Sequence, residues 1–422
     1  MSAVSVRAPD RPHWALLALL LSMAATWHVL ALWTPERPRP PGGTAGRDYA
    51  SYHYAAQVAL EGGDPYDTEA LNRAAQDEGI RRAAVHPWIY PPPALLLVTP
   101  VASLPLETGL GVYRLLGELA LLGAIAVLTL WWSPLGSQRV LALLTITLAL
   151  MSGVAYGSHL GQLNTVVFLL AMAGLALEDR SPALGGVLLG LAIMAKLSPV
   201  LFVGLWLLQR RWRALGGVIA GVALSELASM ALVGGQGQIS FWTRVLPGLG
   251  AGDYNGLRIQ ISMFANHSVP NLLDQWLPGD IGLSPAAHLG SVAVAGVLVL
   301  ALAAAFRQPS SDPLTRAARV GAVGVAMLLI PVYTFDHHLL WSVPAIVAVS
   351  IAVAEDRLPR WAMAPAGLAF ALLCFAVPPL KRLYGFYEPG AVALAIQEAK
   401  HLALWIWLAL ATWVGISHPR ES

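Results

Sequence analysis

Apolar residues run through this chain in blocks long enough to cross a bilayer, separated by short polar stretches. About 20 apolar residues in a helix span the ~30 Å hydrocarbon core. The first such block is residues 13–33 (HWALLALLLSMAATWHVLALW), with Arg7 and Arg11 before it. A cleaved signal peptide would have a shorter apolar core and a small-residue cleavage site, so the pattern predicts a retained helix. Further spans are predicted near 107–131, 138–155, 163–177, 183–208, 214–233, 286–306, 317–333, 338–354, 361–378 and 394–416. The block 183–208 is too long for one crossing, and KLSP in its middle breaks a helix because proline removes an amide donor. It reads as a tight hairpin turning at Lys196–Pro199. Residues 91–106 (PPPALLLVTPVASLPL) hold too few proline-free positions for a full helical crossing. They read as a re-entrant segment or a short, tilted span.

Positive charge orients these spans, because short cytoplasmic loops are rich in Arg and Lys. If 91–106 does not cross, the cytoplasmic loops hold Arg139, Arg180, Arg210, Arg211, Arg213, Arg307, Arg316, Arg319, Arg357 and Arg360. If it does cross, most of that set falls outside. The rule favours the re-entrant reading, with about 12 spans and both termini cytoplasmic. Residues 1–422 then form a single integral membrane domain. Two long loops, 34–106 and 234–285, lie on the outer face with three short turns, 157–164, 196–199 and 334–338. The polar chemistry collects at that face.

Composition agrees. Hydrophobic residues are 56% of the chain and charged residues 12%, about half the charged fraction of a soluble domain. The short alternating segments of a transmembrane β-barrel are absent. The expected class is an all-α polytopic membrane protein. A net charge of +2 gives no reason to expect nucleic acid. Cys374 is the single cysteine, which excludes an intramolecular disulfide and a thiolate metal cluster. No P-loop, no G-x-G-x-x-G at a strand–helix junction and no Asp-x-Asp signature occurs. Intramembrane acids are few and internal repeats are not evident, unlike proton-coupled transporters.

The outer segments carry the candidate chemistry. Asp48 opens GRDYASYHYAAQVALEGGDPYD (46–67). It reads either as a helix N-cap or as a general base near the membrane surface. Tyr49, Tyr52, Ala56 and Ala59 recur at helical spacing, which predicts a juxtamembrane helix with one face on the bilayer. GGDPYD reads as the turn that ends it, with Asp64 structural. Lys196 either snorkels to the interface or serves as a cation for a phosphate. His159, Gln162 and Asn164 in GSHLGQLN suit sugar hydroxyls, although Asn164 could cap the following helix. In TFDHHLLW, adjacent His337 and His338 point in different directions and make a poor chelate, so no metal site is assigned; Asp336 could be an N-cap. FANHSVPNLL offers Asn266, His267, Ser268 and Asn271, again sugar-compatible and overlapping a glycan acceptor pattern. Lys381 and Arg382 lie beside Tyr384, Tyr387 and Glu388 in the last outer loop, as expected at any interface.

Six stretches in order resemble glycosyltransferase family 87, polyprenol-phosphate-mannose-dependent mannosyltransferases of the GT-C fold. They are RDYASYHYAAQVALEGGDPY, YPPPALLLVTPVASLP, GQLNTVVFLLAMAGLAL, GVLLGLAIMAKLSPVLFVGLWLLQRRWRA, FANHSVPNLL and FDHHLLWSVP, spread over roughly 46–345. The resemblance implies an inverting membrane hexosyltransferase that takes a sugar, mannose in family terms, from a polyprenyl-phosphate carrier. The acceptor is lipid-linked or part of the cell envelope. Work is done on the outer face of a bacterial plasma membrane. It implies Asp48 as the catalytic acid-loop residue and His337 or His338 at the sugar. Lys196, Arg258 or Arg382 would serve the leaving phosphate, with Gln162, Asn164 and His159 beside the donor and Tyr49, Tyr52, Asn266 and His267 toward the acceptor or sugar. No cofactor is expected. An arginine before the acid departs from the family pattern, and the region after 380 carries no motif. The competing class is a lipid or solute transporter, or flippase, without glycosyl transfer.

Overall fold

The computed structural model describes residues 46–80, 85–257, 259–263, 265–280, 282–374 and 391–416. The predicted helix 13–33, the linker 37–43, Arg258, Lys381 and Arg382 lie outside the described residues. Among the described residues the regular structure is helical, with one isolated antiparallel bridge between Tyr254 and Leu257.

Two helices of the first polar segment come first, α1 (Arg47–Leu60) and α2 (Thr68–Asp77). Gly46 starts α1 at φ 65 and presses against Leu110, a left-handed approach that suits glycine. GGDPYD is a turn: the Asp64 carboxylate accepts from the Tyr66 N–H at 2.9 Å, and the Asp67 side chain caps α2. Short helical turns Pro92–Leu97 and Thr99–Ala102 follow. Then come α3 (Leu106–Trp131), α4 (Ser137–Leu150) and α5 (Ser152–Leu160). The chain bends by 63° between α4 and α5. Next are α6 (Asn164–Ala176), α7 (Pro182–Ala195), α8 (Val200–Leu208) and α9 (Trp212–Ser240). After these lie α10 (Val269–Trp276), α11 (Pro285–Phe306) and α12 (Pro313–Leu329). A 3₁₀ turn, Asp336–Ser342, runs into α13 (Val343–Ala354). The described chain ends with α14 (Met363–Cys374) and α15 (Ala391–Ile416).

Five described segments are long and apolar enough to cross a membrane, six if the bent α4–α5 pair counts as one. The protein is a multi-pass membrane protein. Its helices divide by what they face. Only 11% of the most apolar window of α11 is buried against protein, against 78% for the segment containing α13. α11 therefore presents its side chains to lipid. α12 is buried nearly all round, as an apolar helix in a bundle core must be, and Gly321 and Gly324 let it touch the backbone of Ala345 and Trp341.

α7 and α9 form a small-residue seam. Gly186 meets Ala214 and Gly217, and Gly190 meets Val218 and Gly221. With little hydrophobic drive between helices in lipid, such close backbone approach supplies the dispersion contact. The order of these contacts makes α7 and α9 parallel, so α8 returns the chain between them, and the reversal falls at the KLSP break.

The two ends of the bundle differ chemically. At one end Asp179 accepts from Arg211 at 2.7 Å and from Arg316 at 2.6 Å, and Glu178 pairs with Arg316. Asp312–Arg357 and Arg139–Glu355 pairs, both at 2.7 Å, lie on the same side. At the other end, α1, the α5–α6 junction, the α7–α8 break and the start of the Asp336 turn converge on a cavity.

One expectation is corrected here. The tyrosine face of α1 is covered by protein, with Tyr49 0%, Tyr52 1% and Tyr54 0% exposed. Tyr49 packs on Tyr113 with ring centroids 5.1 Å apart, and Tyr52 meets Trp88 edge-on at 5.4 Å. Aromatic partners on α3 and in the loop before Pro91 take the place that lipid was expected to fill.

Candidate active site

The cavity has a volume of about 630 Å³, within the range of small-molecule sites. Its wall holds Asp48, Tyr90, Gln162, Lys196, His337 and His338. It also holds apolar side chains such as Leu257, Ile259 and Met263, and His288, Ser291, Val292 and Ala295 of the lipid-facing α11.

Asp48 lies in the first turn of α1, where the helix dipole favours negative charge. It is not the cap; Gly46 holds that position and makes no side-chain bond. The Asp48 carboxylate instead accepts from the Gln162 amide and lies 3.5 Å from Arg47 Nε. The Gln162 oxygen accepts from Tyr52 at 2.9 Å and Tyr90 at 3.3 Å. Two hydroxyl donors on the oxygen leave the NH₂ aimed at Asp48, so the amide has one orientation. Burial alone would raise the Asp48 carboxyl, but Arg47, His337, His86 and the Gln162 donor together hold it below the ordinary carboxylate value. Asp48 is an anion at neutral pH.

Lys196 ends α7 in an extended conformation, φ −161 and ψ 120, because the KLSP break turns it out of the helix. Its ammonium donates to the Asn164 oxygen at 2.7 Å and sits 5.7 Å from the centre of the Tyr90 ring. Burial pushes it down to about 7, with Asp48 opposing. Asn164 is the first residue of α6 and not its cap, which falls at Leu163. Its NH₂ donates to the His337 carbonyl at 2.9 Å, so one amide joins the lysine to the histidine turn.

His337 and His338 differ. The Phe335 N–H donates to His338 Nδ1 at 3.1 Å, which folds that ring onto its own turn. His337 Nδ1 is buried without a partner among the described residues. Gly153 and Gly157 of α5 let this turn come close, since a side chain at Gly153 would strike the Asp336 carbonyl.

Other expected site residues lie behind the wall. The His159 carbonyl accepts from Gly46 at 2.8 Å and from Arg114 at 2.6 Å, and its ring stacks on Tyr156. Tyr49 fills the gap left by Gly109, and Tyr52 reaches the site through Gln162 and Tyr90. Asn266 does not line the cavity: its NH₂ donates to the Ile261 and Val332 carbonyls at 3.0 and 2.9 Å, and its oxygen accepts from Thr334 at 2.8 Å. A fully buried amide spent on backbone has no group left for a sugar. His267 is likewise fully buried, with Nε2 2.8 Å from the Asp336 carboxylate. Among the described residues, no three His, Cys, Asp or Glu side chains gather as a metal would require. Arg47, Tyr90, Tyr156 and the buried Lys400 were not singled out from sequence. Arg47 and Tyr90 open two of the stretches already quoted and Tyr156 directly precedes GSHLGQLN, whereas Lys400 lies in QEAKH, far along the chain from any of those motifs.

Residues 88–331 match the model of glycosyltransferase family 87. Over 307 residues the chain is 27% identical to the polyprenol-phosphate-mannose-dependent alpha-(1-2)-phosphatidylinositol mannoside mannosyltransferase of Mycolicibacterium smegmatis, covering 68% of this chain and 67% of that protein. With more than half of its length matched, this multi-pass membrane protein belongs to glycosyltransferase family 87.

Proposed function

We propose that the chain transfers a sugar, mannose as the first choice, from a polyprenyl-phosphate carrier to a lipid-linked acceptor at the outer face of the plasma membrane. One observation carries this reading. A single cavity holds an anionic carboxylate, Asp48, and a half-buried ammonium, Lys196, with Tyr90 beside both Lys196 and Gln162, and its wall also carries the apolar Leu257, Ile259 and Met263 and side chains of the lipid-facing α11. That is the layout required by a substrate with a sugar, a phosphate and a lipid tail. The named relative uses a polyprenol-phosphate mannose, which favours the same donor. The GT-C fold and about 12 spans belong to this reading, as does its orientation: the arginine-rich end opposite the cavity suits the cytoplasm.

In this reaction Asp48 accepts the proton of the acceptor hydroxyl as its oxygen attacks the anomeric carbon. The bond from that carbon to the phosphate oxygen breaks on the opposite face and inverts the centre. The polyprenyl phosphate leaves as an anion, and Lys196 opposes its charge. The ammonium matters most as the leaving group gains charge in a water-poor site. The phosphate leaves without protonation, so no second carboxylic acid is needed. His337 stands in the cavity wall, and its imidazole is the group this reading assigns to a sugar hydroxyl.

Purified protein in lipid vesicles, given polyprenyl-phosphate mannose and an acceptor lipid extract, is expected to form a new glycolipid detectable by mass spectrometry. Asp48→Asn is expected to lower turnover by about 10²–10⁴-fold at unchanged folding. Full turnover by Asp48→Asn would remove the base assignment. Movement of lipid between leaflets without a new glycosidic bond would replace transfer by transport.

A further inference from the structure

The last described helix, α15, reaches the site from outside the family-matched region. Lys400 on α15 is 0% exposed, and its Nζ donates to Asp336 Oδ1 at 2.8 Å. His267 Nε2 donates to the same oxygen at 2.8 Å, and both partners of this carboxylate are fully buried. The next residue on α15 adds a second clamp. His401 Nδ1 donates to the His267 carbonyl at 3.0 Å while its Nε2 accepts from Trp405 at 2.9 Å, which sets its tautomer. The backbone of the two loops is joined as well, by His267 N–H to the Thr334 carbonyl at 2.8 Å.

This arrangement is costly as a mere fold stabiliser. Taking an ammonium and a carboxylate out of water is unfavourable, and a well-packed apolar set is often as stable. Its value lies in direction. Asp336 is the first residue of the turn that continues as His337 and His338, and its carbonyl is pressed against Gly153 on the far side. The carboxylate is held from one side and the backbone from the other, so the two residues that follow have a single placement in the cavity wall.

We propose that Lys400 is a positioning residue for the transfer: acting through Asp336, it fixes the turn that places His337 at the substrate. The inference rests on the cavity being the active site, as argued above. Its test uses full-length protein and has a readout separate from activity. The rate at which diethyl pyrocarbonate modifies His337 and His338 is followed by mass spectrometry in wild type and in Lys400→Met. A released turn is expected to raise His337 modification several-fold. In the transfer assay, kcat is expected to fall by up to ~10²-fold, the scale of a 1 Å misplacement, with donor KM little changed. If Lys400→Met does not yield folded protein, Lys400→Met combined with Asp336→Asn removes both charges and is read the same way. Histidine modification and kcat equal to wild type in either folded variant would overturn the proposal. Wild-type protein that forms no glycolipid would overturn the transferase reading instead, and the modification rates would still report whether Lys400 holds the turn.

Discussion

Lys196 is the charge at the cavity that changes state near neutrality. Burial moves it down from the ordinary lysine value to about 7, whereas Asp48 is held below the ordinary carboxylate value. The signs differ in consequence. Asp48 stays ionised through the neutral range. Lys196 is charged below about 7 and neutral above it. If the ammonium meets the donor phosphate, kcat/KM for the donor falls as pH rises through about 7, since that ratio reports the free enzyme. Lys196→Arg keeps its charge and should lose this alkaline limb, whatever its absolute rate. A profile flat through neutrality in wild type would take Lys196 out of the phosphate role. A second residue-scale prediction concerns Gln162. Gln162→Leu removes the donor to Asp48 and leaves the Tyr52 and Tyr90 hydroxyls without their shared acceptor. It should lower kcat by about tenfold or more while Asp48 remains in place; wild-type kcat would show that Asp48 needs no positioning. At this scale the sequence was informative where a polar residue had few structural uses. Asp48, Gln162 and Lys196 sit at element ends, where a side chain is free to turn inward. Asn266 and His267 misled because an amide or imidazole serves a bare loop carbonyl or a buried carboxylate as well as it serves a sugar.

The elements were legible because each apolar block exceeds the length a helix needs and is bounded by Pro, Gly or charge. The predicted block 107–131 is α3, 286–306 is α11, and the break at Lys196–Pro199 separates α7 from α8. What stayed hidden was which faces meet. Tyr49 and Tyr52 recur at a spacing that suits lipid or protein equally, and only the cover supplied by Tyr113 and Trp88 decides. Glycines carry the same ambiguity, and α9 offers a direct test. A methyl at Gly217 would strike the Ala183 carbonyl across the α7 seam, whereas nothing lies near a methyl at Gly216. Gly217→Ala should cost about 1–3 kcal/mol through overpacking, read as a lowered apparent thermal midpoint in detergent. Gly216→Ala should be neutral or raise the midpoint, because alanine is better than glycine in a helix by up to ~1 kcal/mol. Equal effects at the two neighbours would mean that α7 and α9 do not pack through this face.

Across the whole molecule, charge and cavity sit at opposite ends of the same helices. α6 begins at Asn164 beside Lys196 and ends near Glu178, which pairs with Arg316; α13 follows Asp336 and ends beside Glu355, which pairs with Arg139. The short loops of the second end are those whose arginines the positive-inside rule assigns to the cytoplasm. A carrier with its sugar presented outside would then meet Asp48 without crossing the bundle, and a nucleotide sugar in the cytoplasm would not. Cys374 is the single cysteine, so its replacement by alanine gives a clean background for topology. In that background Glu61→Cys marks the cavity end and Arg213→Cys the arginine end, and both side chains are exposed. A membrane-impermeant maleimide added to intact cells should label Glu61→Cys and leave Arg213→Cys untouched until the cells are opened. The reverse pattern would place the cavity in the cytoplasm. Asp48 and Lys196 would then face cytoplasmic donors, and the outward-facing carrier would have to be given up even if the transfer chemistry itself survived.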